Sequence, residues 1–147
     1  MTYLDTSALI KRFIAEKGSS LVLALITGEG SVATAKIAYA EVYAGLTRRR
    51  REGHLSDSQY ALACRQFESD WRAYLRLDLQ DEILLKARDL IQRHPLRGFD
   101  AIHLASALSL RGALGEEITF AAADGPLLRA AKAERLRPLN VETSHTP

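Results

Sequence analysis

The chain has 147 residues and a mass of 16.3 kDa, which is room for one domain with a sizeable core and no need of disulfide or metal staples. Hydrophobic residues make up 47% and charged residues 26%, a balance that excludes a disordered or fibrous chain. A net charge of +2 excludes a whole-molecule basic field for nucleic acid, although fifteen of the 20 basic residues are arginine, the better fork for phosphate or carboxylate. The single cysteine, Cys64, has no internal disulfide partner, and no Cys/His set has zinc spacing. The longest run without Asp, Glu, Lys or Arg, Gly18 to Gly28, is far short of a membrane span of about 20 residues. Without a basic-then-apolar leader at Met1, the expectation is a soluble, reduced, cytoplasmic protein that does not engage a membrane.

Short apolar runs alternate with longer segments of helical period. Tyr3-Leu4 reads as a strand, and about Ser7 to Ala15 as a helix with Leu9, Ile10, Phe13 and Ile14 on one face. Ser20 to Thr27 is a second helix closed by Gly28 and Gly30, and Ser31 to Thr34 a strand. Ile37 to about Glu52 is helical, stopped by Gly53; Ser56 opens another helix that runs to about Trp71. Tyr74 to Leu79 alternates as a strand, and Gln80 to His94 is a helix broken by Pro95. Phe99 to Leu110 is helix, Ile118 to Ala122 strand, Pro126 to Glu134 helix and Leu139 to Val141 a last strand. Strands separated by helices predict an α/β layer fold with a mainly parallel sheet, a single domain over residues 1–142, and a flexible polar tail over 143–147. Such sheets bind ligands at the carboxyl ends of their strands, where the strand order reverses.

Four carboxylates stand out because each is set in an apolar segment. Asp5 follows Tyr3-Leu4, and Asp124 ends the run Phe120-Ala121-Ala122-Ala123. Glu41 is the sole charge between Ile37 and Leu46, and Asp100 the sole acid between Phe99 and Leu108. Read singly, Asp5 or Thr6 caps the first helix, Asp100 caps the helix from Ala101, and Asp124-Gly125-Pro126 starts the last helix. Glu41 resists that reading. Its helix is apolar all round, so a lone carboxylate there needs a compensating cation, and the sequence leaves a metal and an arginine equally open. If the four converge, two carboxylates about 5 Å apart repel by about 3 kcal/mol at an effective dielectric near 20. Protonation or a divalent cation must relieve that repulsion. Oxygen-only ligands select hard ions such as Mg²⁺ or Mn²⁺, which support in-line displacement at a phosphodiester.

These elements resemble the PIN domain, and the chain as a whole resembles the VapC ribonuclease toxins of bacterial and archaeal toxin–antitoxin pairs. The matching stretches are Leu4-Asp5-Thr6-Ser7-Ala8-Leu9, Tyr39-Ala40-Glu41-Val42, Asp100-Ala101-Ile102-His103-Leu104-Ala105 and Ala123-Asp124-Gly125-Pro126-Leu127-Leu128. The resemblance implies a Rossmann-like, three-layer domain with a five-stranded parallel sheet and a metal-dependent endoribonuclease activity. It implies that Asp5, Glu41, Asp100 and Asp124 surround one or two Mg²⁺ or Mn²⁺ ions, with Thr6 in support. It further implies a cognate VapB-like antitoxin and a homodimer. One departure stands against the pattern: Ala122 occupies a place where members often carry Thr or Ser, which raises a catalytically weak module that binds RNA or protein as the alternative.

Among the basic residues, Arg48 lies seven positions after Glu41, nearly the same helical face and about 10 Å along the axis, a reach that suits a neighbouring phosphate of bound RNA. Lys11, Arg12 and Arg97 are further RNA-binding candidates, each close in sequence to an acid of the set. His103 reads as a buried structural histidine rather than a general base, and the tyrosines and Trp71 as core or interface positions rather than base-stacking ones. Neither a Walker A loop nor a G-x-G-x-x-G fingerprint occurs, which speaks against nucleotide binding on the same sheet.

Overall fold

The computed structural model describes residues 1–144, and the tail expected over 143–147 therefore lies largely outside the described residues. Five strands form one sheet: β1 (Thr2–Leu4), β2 (Val32–Ala35), β3 (Leu75–Leu77), β4 (Thr119–Ala122) and β5 (Arg137–Asn140). Their order is β3-β2-β1-β4-β5, and every pairing is parallel. The sequence expectation of a mainly parallel α/β sheet is met in full. Seven helices are seen among the described residues: α1 (Thr6–Leu9), α2 (Ser19–Thr27), α3 (Ile37–Arg51), α4 (Asp57–Trp71), α5 (Asp81–Arg93), α6 (Gly98–Leu114) and α7 (Gly125–Ala133).

Alternation along the strands makes two cores, one on each face of the sheet. Tyr3, Phe120 and Ala122 point to the face covered by α5, α6 and α7, where they meet Leu90, Leu104 and Leu127. Leu4 and Ala121 point to the other face, against Leu9, Val42, Leu46 and Phe67 of α1, α3 and α4. The ring of Tyr3 stacks on Phe120 at 5.4 Å. Tyr39, Tyr43, Phe67 and Trp71 form an aromatic cluster between α3 and α4, with the Tyr39 and Tyr43 hydroxyls donating to Glu68. Tyr43 is half-buried in this cluster, whereas Tyr39 lies at its exposed rim.

Helix ends follow local chemistry. The Ser56 hydroxyl accepts from the Gln59 amide while the Gln59 side chain accepts from the Ser56 amide, a reciprocal capping box that starts α4. Gly115 closes α6 in the left-handed region at φ 67°, where a Cβ is disfavoured. The first helix is shorter than its periodicity suggests. It ends at Leu9 and tightens into a 3₁₀ turn over Ile10–Arg12, with the Phe13 amide donating to Ile10 O. The cause is tertiary: Ile10 and Phe13 enter the core, and the buried Lys11 is drawn into ion pairs with the partly exposed Glu16 and Glu142.

The order β2-β1-β4 places the reversal of strand order between β1 and β4. There the Asp5 amide donates to Ala121 O across the sheet. Both strands deliver an acid immediately beyond this point.

Candidate active site

Asp5 leaves β1 and caps α1: its Oδ1 accepts from the Ala8 amide at 3.0 Å. Asp124 leaves β4 and caps α7, its Oδ1 accepting from the Leu127 amide at 3.1 Å. Asp100 does not cap its helix. That helix starts one residue earlier than its sequence suggests, with Arg97 in the capping place, so Asp100 falls in the first turn, its carboxylate without a hydrogen bond among the described residues. Glu41 projects from the first turns of α3. All four carboxylates, with Thr6, Ser7, His103, Arg48, Arg49 and Arg97, line one open cleft of about 610 Å³ at the carboxyl edge of the sheet. A hollow of about 720 Å³ at the opposite edge is larger, but its one carboxylate, Asp70, is already paired with Arg12, so volume does not decide the site.

The helix carrying Glu41 is less enclosed than the sequence suggests, since Tyr39 is 38% exposed and Ala40 and Ala44 face solvent. No arginine pairs with Glu41 among the described residues. Glu41 Oε1 accepts from the Thr6 hydroxyl at 2.7 Å and lies 2.8 Å from Nε2 of His103. Burial alone would raise the Glu41 carboxyl, but the His103 and Thr6 contacts outweigh it and hold the group below the ordinary range.

Asp5 has the opposite balance. It is 3% exposed, and burial pushes its carboxyl from 3.8 to about 6 against the lowering effects of His103, Ser7 and the Ala8 amide. The charge of Asp100 raises it further. Asp100 is itself raised by burial and then by the charge of Asp124, with Glu41 adding to the effect and His103 and Arg97 opposing it. The acids therefore feel one another, the electrostatic signature of a site that has gathered negative charge at a cost.

Ser7 is a site residue that sequence reasoning missed. Its hydroxyl lies 2.7 and 2.8 Å from the two oxygens of Asp5 and accepts from the Ala123 amide at 3.0 Å, tying the ends of β1 and β4 together. Ala122, the departure noted in the sequence, is wholly buried in the core on the α6 side and does not line the cleft.

The basic candidates divide. Arg48 and Arg97 are exposed at the cleft, and among the described residues neither makes an ion pair. Lys11 borders the cleft but is buried, with its ammonium 3.2 Å from Glu16 and 2.9 Å from Glu142. Arg12 does not line the cleft; it pairs with Asp70 at 3.0 Å on the other side of its turn. Arg49 lines the cleft, its Nη2 at 3.4 Å from Glu16 and its Nη1 buried without a partner. Arg48 and Arg97 are thus the cleft arginines without an ion-pair partner among the described residues.

The donor set fits a hard divalent cation by its chemistry, being all oxygen and raised in pKa at Asp5 and Asp100. It is not closed into a cage. Among the described residues no three Asp, Glu, His or Cys side chains stand close enough together to grip an ion as they are.

An α/β protein with an acidic cleft at the switch point of its parallel sheet is the class that fold and site define. The family model of the PIN domain matches residues 2–132. Ribonuclease VapC45 and Ribonuclease VapC49, from two strains of Mycobacterium tuberculosis, are each 39% identical to the chain over 110 residues, 75% of this chain and 76% of theirs. The chain belongs to the PIN domain family and is VapC-like within it. The crystal structure of FitAcB from Neisseria gonorrhoeae superposes with a TM-score of 0.72 at 16% identity, over 98% of this chain and 100% of that one. A toxin–antitoxin complex from Klebsiella pneumoniae gives 0.66 at 18% identity, over 96% and 98%. At these identities the likeness establishes the fold. Among the described residues no helix is long and apolar enough to cross a membrane.

Proposed function

We propose that the protein is a metal-dependent endoribonuclease that hydrolyses RNA phosphodiester bonds and acts in the cytoplasm as the toxin of a toxin–antitoxin pair. The observation that carries this reading is the meeting of Asp5, Glu41, Asp100 and Asp124, from four distant segments, in one cleft edged by Arg48 and Arg97. Mg²⁺, or Mn²⁺ in its place, held by those carboxylates would supply Lewis acidity and an activated water at neutral pH. The chain's own residues supply the rest. Thr6 and His103 hold Glu41, and Ser7 holds Asp5. Arg48 and Arg97 take phosphate oxygens on either side of the cleft and set the register of the strand. His103 is not the proton acceptor in this scheme, because its two ring nitrogens already face Tyr3 and Glu41.

The Mycobacterium relatives are named as ribonucleases, which supports that activity here. The Klebsiella structure is a toxin–antitoxin complex, which supports a protein antitoxin of the VapB-like kind as partner. A homodimer belongs to the same reading. The open arrangement of the acids favours a second reading, a module that binds RNA or a protein without cutting. Cleavage of total cellular RNA separates the two. The proposal expects cutting that EDTA abolishes and Mg²⁺ or Mn²⁺ restores, with an Asp5→Asn preparation inert. Cutting that survives EDTA, or an Asp5→Asn protein as fast as the parent, ends it. Calorimetric titration that finds no divalent-ion binding even with RNA present favours the binding module.

A further inference from the structure

A buried phenol stands behind the acidic cleft. Tyr3 is wholly inaccessible, its ring stacked on Phe120, and its hydroxyl lies 2.7 Å from Nδ1 of His103. His103 is itself 2% exposed, and its other nitrogen, Nε2, is 2.8 Å from Oε1 of Glu41. A carboxylate oxygen only accepts, so the proton on that short contact belongs to the imidazole. In the neutral ring Nδ1 is then the acceptor, and the phenolic proton is spent on it. The arrangement is consistent at Tyr3 as well. The nearby Ser106 and Thr34 hydroxyls donate to Ile102 O and Leu4 O, and with the Ala35 amide they turn donors, not acceptors, toward the phenol oxygen, so Nδ1 is the acceptor within reach of its proton. If His103 carried its proton on Nδ1 instead, Nε2 would set a lone pair against the carboxylate, and a wholly buried phenol would lose its acceptor.

We propose that Tyr3 is a positioning residue: it fixes His103 as the Nε2–H tautomer, and His103 together with Thr6 then engages only Oε1 of Glu41, leaving Oε2 for a divalent cation. The inference rests on the reading of the cleft as a metal site. Its logic is that of histidine–carboxylate pairs around metals, in which an outer hydrogen bond chooses the tautomer and so aims the inner ligand. Here a histidine stands between the outer donor and the ligand, so a change on the far side of the sheet's core is transmitted through one ring. Thr6 donates to the same oxygen, Oε1, and its own oxygen lies 3.1 Å from Nε2 of His103, so the hydroxyl and the ring hold Glu41 in one orientation.

The test uses the full chain. Long-range proton–nitrogen spectra of the metal-free parent, with the histidine imidazoles labelled and His103 assigned, report the tautomer without metal or RNA. The expected result is a single Nε2–H species that becomes a mixture in Tyr3→Phe. An Nδ1–H species in the parent, or an unchanged ratio in Tyr3→Phe, overturns the proposal. Titration with Mn²⁺ provides the second measurement, with an expected weakening of about tenfold in folded Tyr3→Phe. Mn²⁺ binding that is unchanged in Tyr3→Phe also overturns it. His103→Gln is the control: its amide retains a donor toward Glu41 and does not depend on Tyr3, so adding Tyr3→Phe to it should weaken Mn²⁺ binding no further. A further tenfold loss in that double variant would assign the effect to packing and refute the positioning role. If the parent binds no Mn²⁺ at all, the metal reading of the cleft fails even where the tautomer is as expected, and the two failures are told apart by the metal-free spectrum.

Discussion

Replacing Asp5 by Asn should stabilise the metal-free protein at pH 8 and destroy its response to divalent ions. A rise of the Asp5 carboxyl from 3.8 to about 6, at about 1.4 kcal/mol per pH unit, makes its ionisation cost the folded state about 3 kcal/mol relative to the unfolded chain. The sign follows from proton binding. Between those two values the folded protein holds a proton that the unfolded chain has lost, so stability falls as pH rises through that window. Below the lower value the penalty is absent; above the higher one it is complete. Asn keeps an oxygen for the Ala8 amide and one contact to Ser7, and loses charge assistance worth about 1 kcal/mol. The net gain at pH 8 is about 2 kcal/mol, or roughly 4–8 °C in Tm for a chain of this size. At pH 4 the gain should vanish or reverse. Thermal melts of both proteins in EDTA across that range measure the crossing. Adding Mg²⁺ or Mn²⁺ at 100 times its Kd should then stabilise the parent by about 2.7 kcal/mol and the variant far less. An Asp5→Asn protein that melts below the parent at pH 8 in EDTA would refute the claim that this carboxylate is held against its electrostatic interest.

Ser7→Ala removes a donor to Asp5 and strands the Ala123 amide; it should cost about 1–3 kcal/mol in chemical denaturation and push the Asp5 carboxyl above its present value of about 6. Arg48→Ala should weaken RNA binding uniformly across sequences and reduce the slope of log affinity against log salt by about 1, as fluorescence anisotropy would record. Lys11→Met should leave that slope unchanged, because its ammonium is already neutralised by Glu16 and Glu142, and should show instead as a loss of about 1–2 kcal/mol in melting experiments. Asp124→Asn keeps the cap on α7 and removes the charge, whereas Asp124→Ala removes both; the two should be equally poor at cutting RNA while differing by about 1 kcal/mol in stability.

What could be read in advance, and what could not, divides along sequence distance. Strand and helix periods are local, so five strands and the helices between them were legible, as was the parallel sheet that such alternation requires. Glu41 was conspicuous because a charge in an apolar stretch is a local anomaly. Its partner was not, because His103 lies 62 residues away and nothing near Glu41 names it. His103 could still be placed, one helical turn past Asp100 and so on the same side of α6, which is the signal that should have tied it to the acids. Lys11 and Arg12 are a different case. Nearness in sequence to Asp5 suggested that they serve the cleft, yet the tight turn over Ile10–Arg12 turns one into an internal ion pair and the other toward Asp70. Ser7 was hidden by its ordinariness, a small hydroxyl in a first turn, and only the approach of β4 gives it the Ala123 amide to receive.

Capping a helix and lining the cleft looked like rival explanations of Asp5 and Asp124, and in the structure the same two side chains do both. A strand that ends at a switch point turns at once into a helix, and the first amides of that helix need an acceptor. An aspartate there gives Oδ1 to the amide while its charge stays at the cleft, with Ser7 also reaching both oxygens of Asp5, so one residue both starts the helix and contributes charge to the cleft. The helix N-terminus repays part of the repulsion, since its unpaired amides favour a nearby anion. Asp100 lacks a capping bond of its own, and Glu41 stands inside a helix, so those two depend on other groups: Arg97 beside the first, His103 and Thr6 beside the second. The difference predicts where the site yields first. Loss of His103 should release Glu41 while the two aspartates stay anchored by the backbone, so the binding of an ion would degrade from the α3 side of the cleft and not from the sheet.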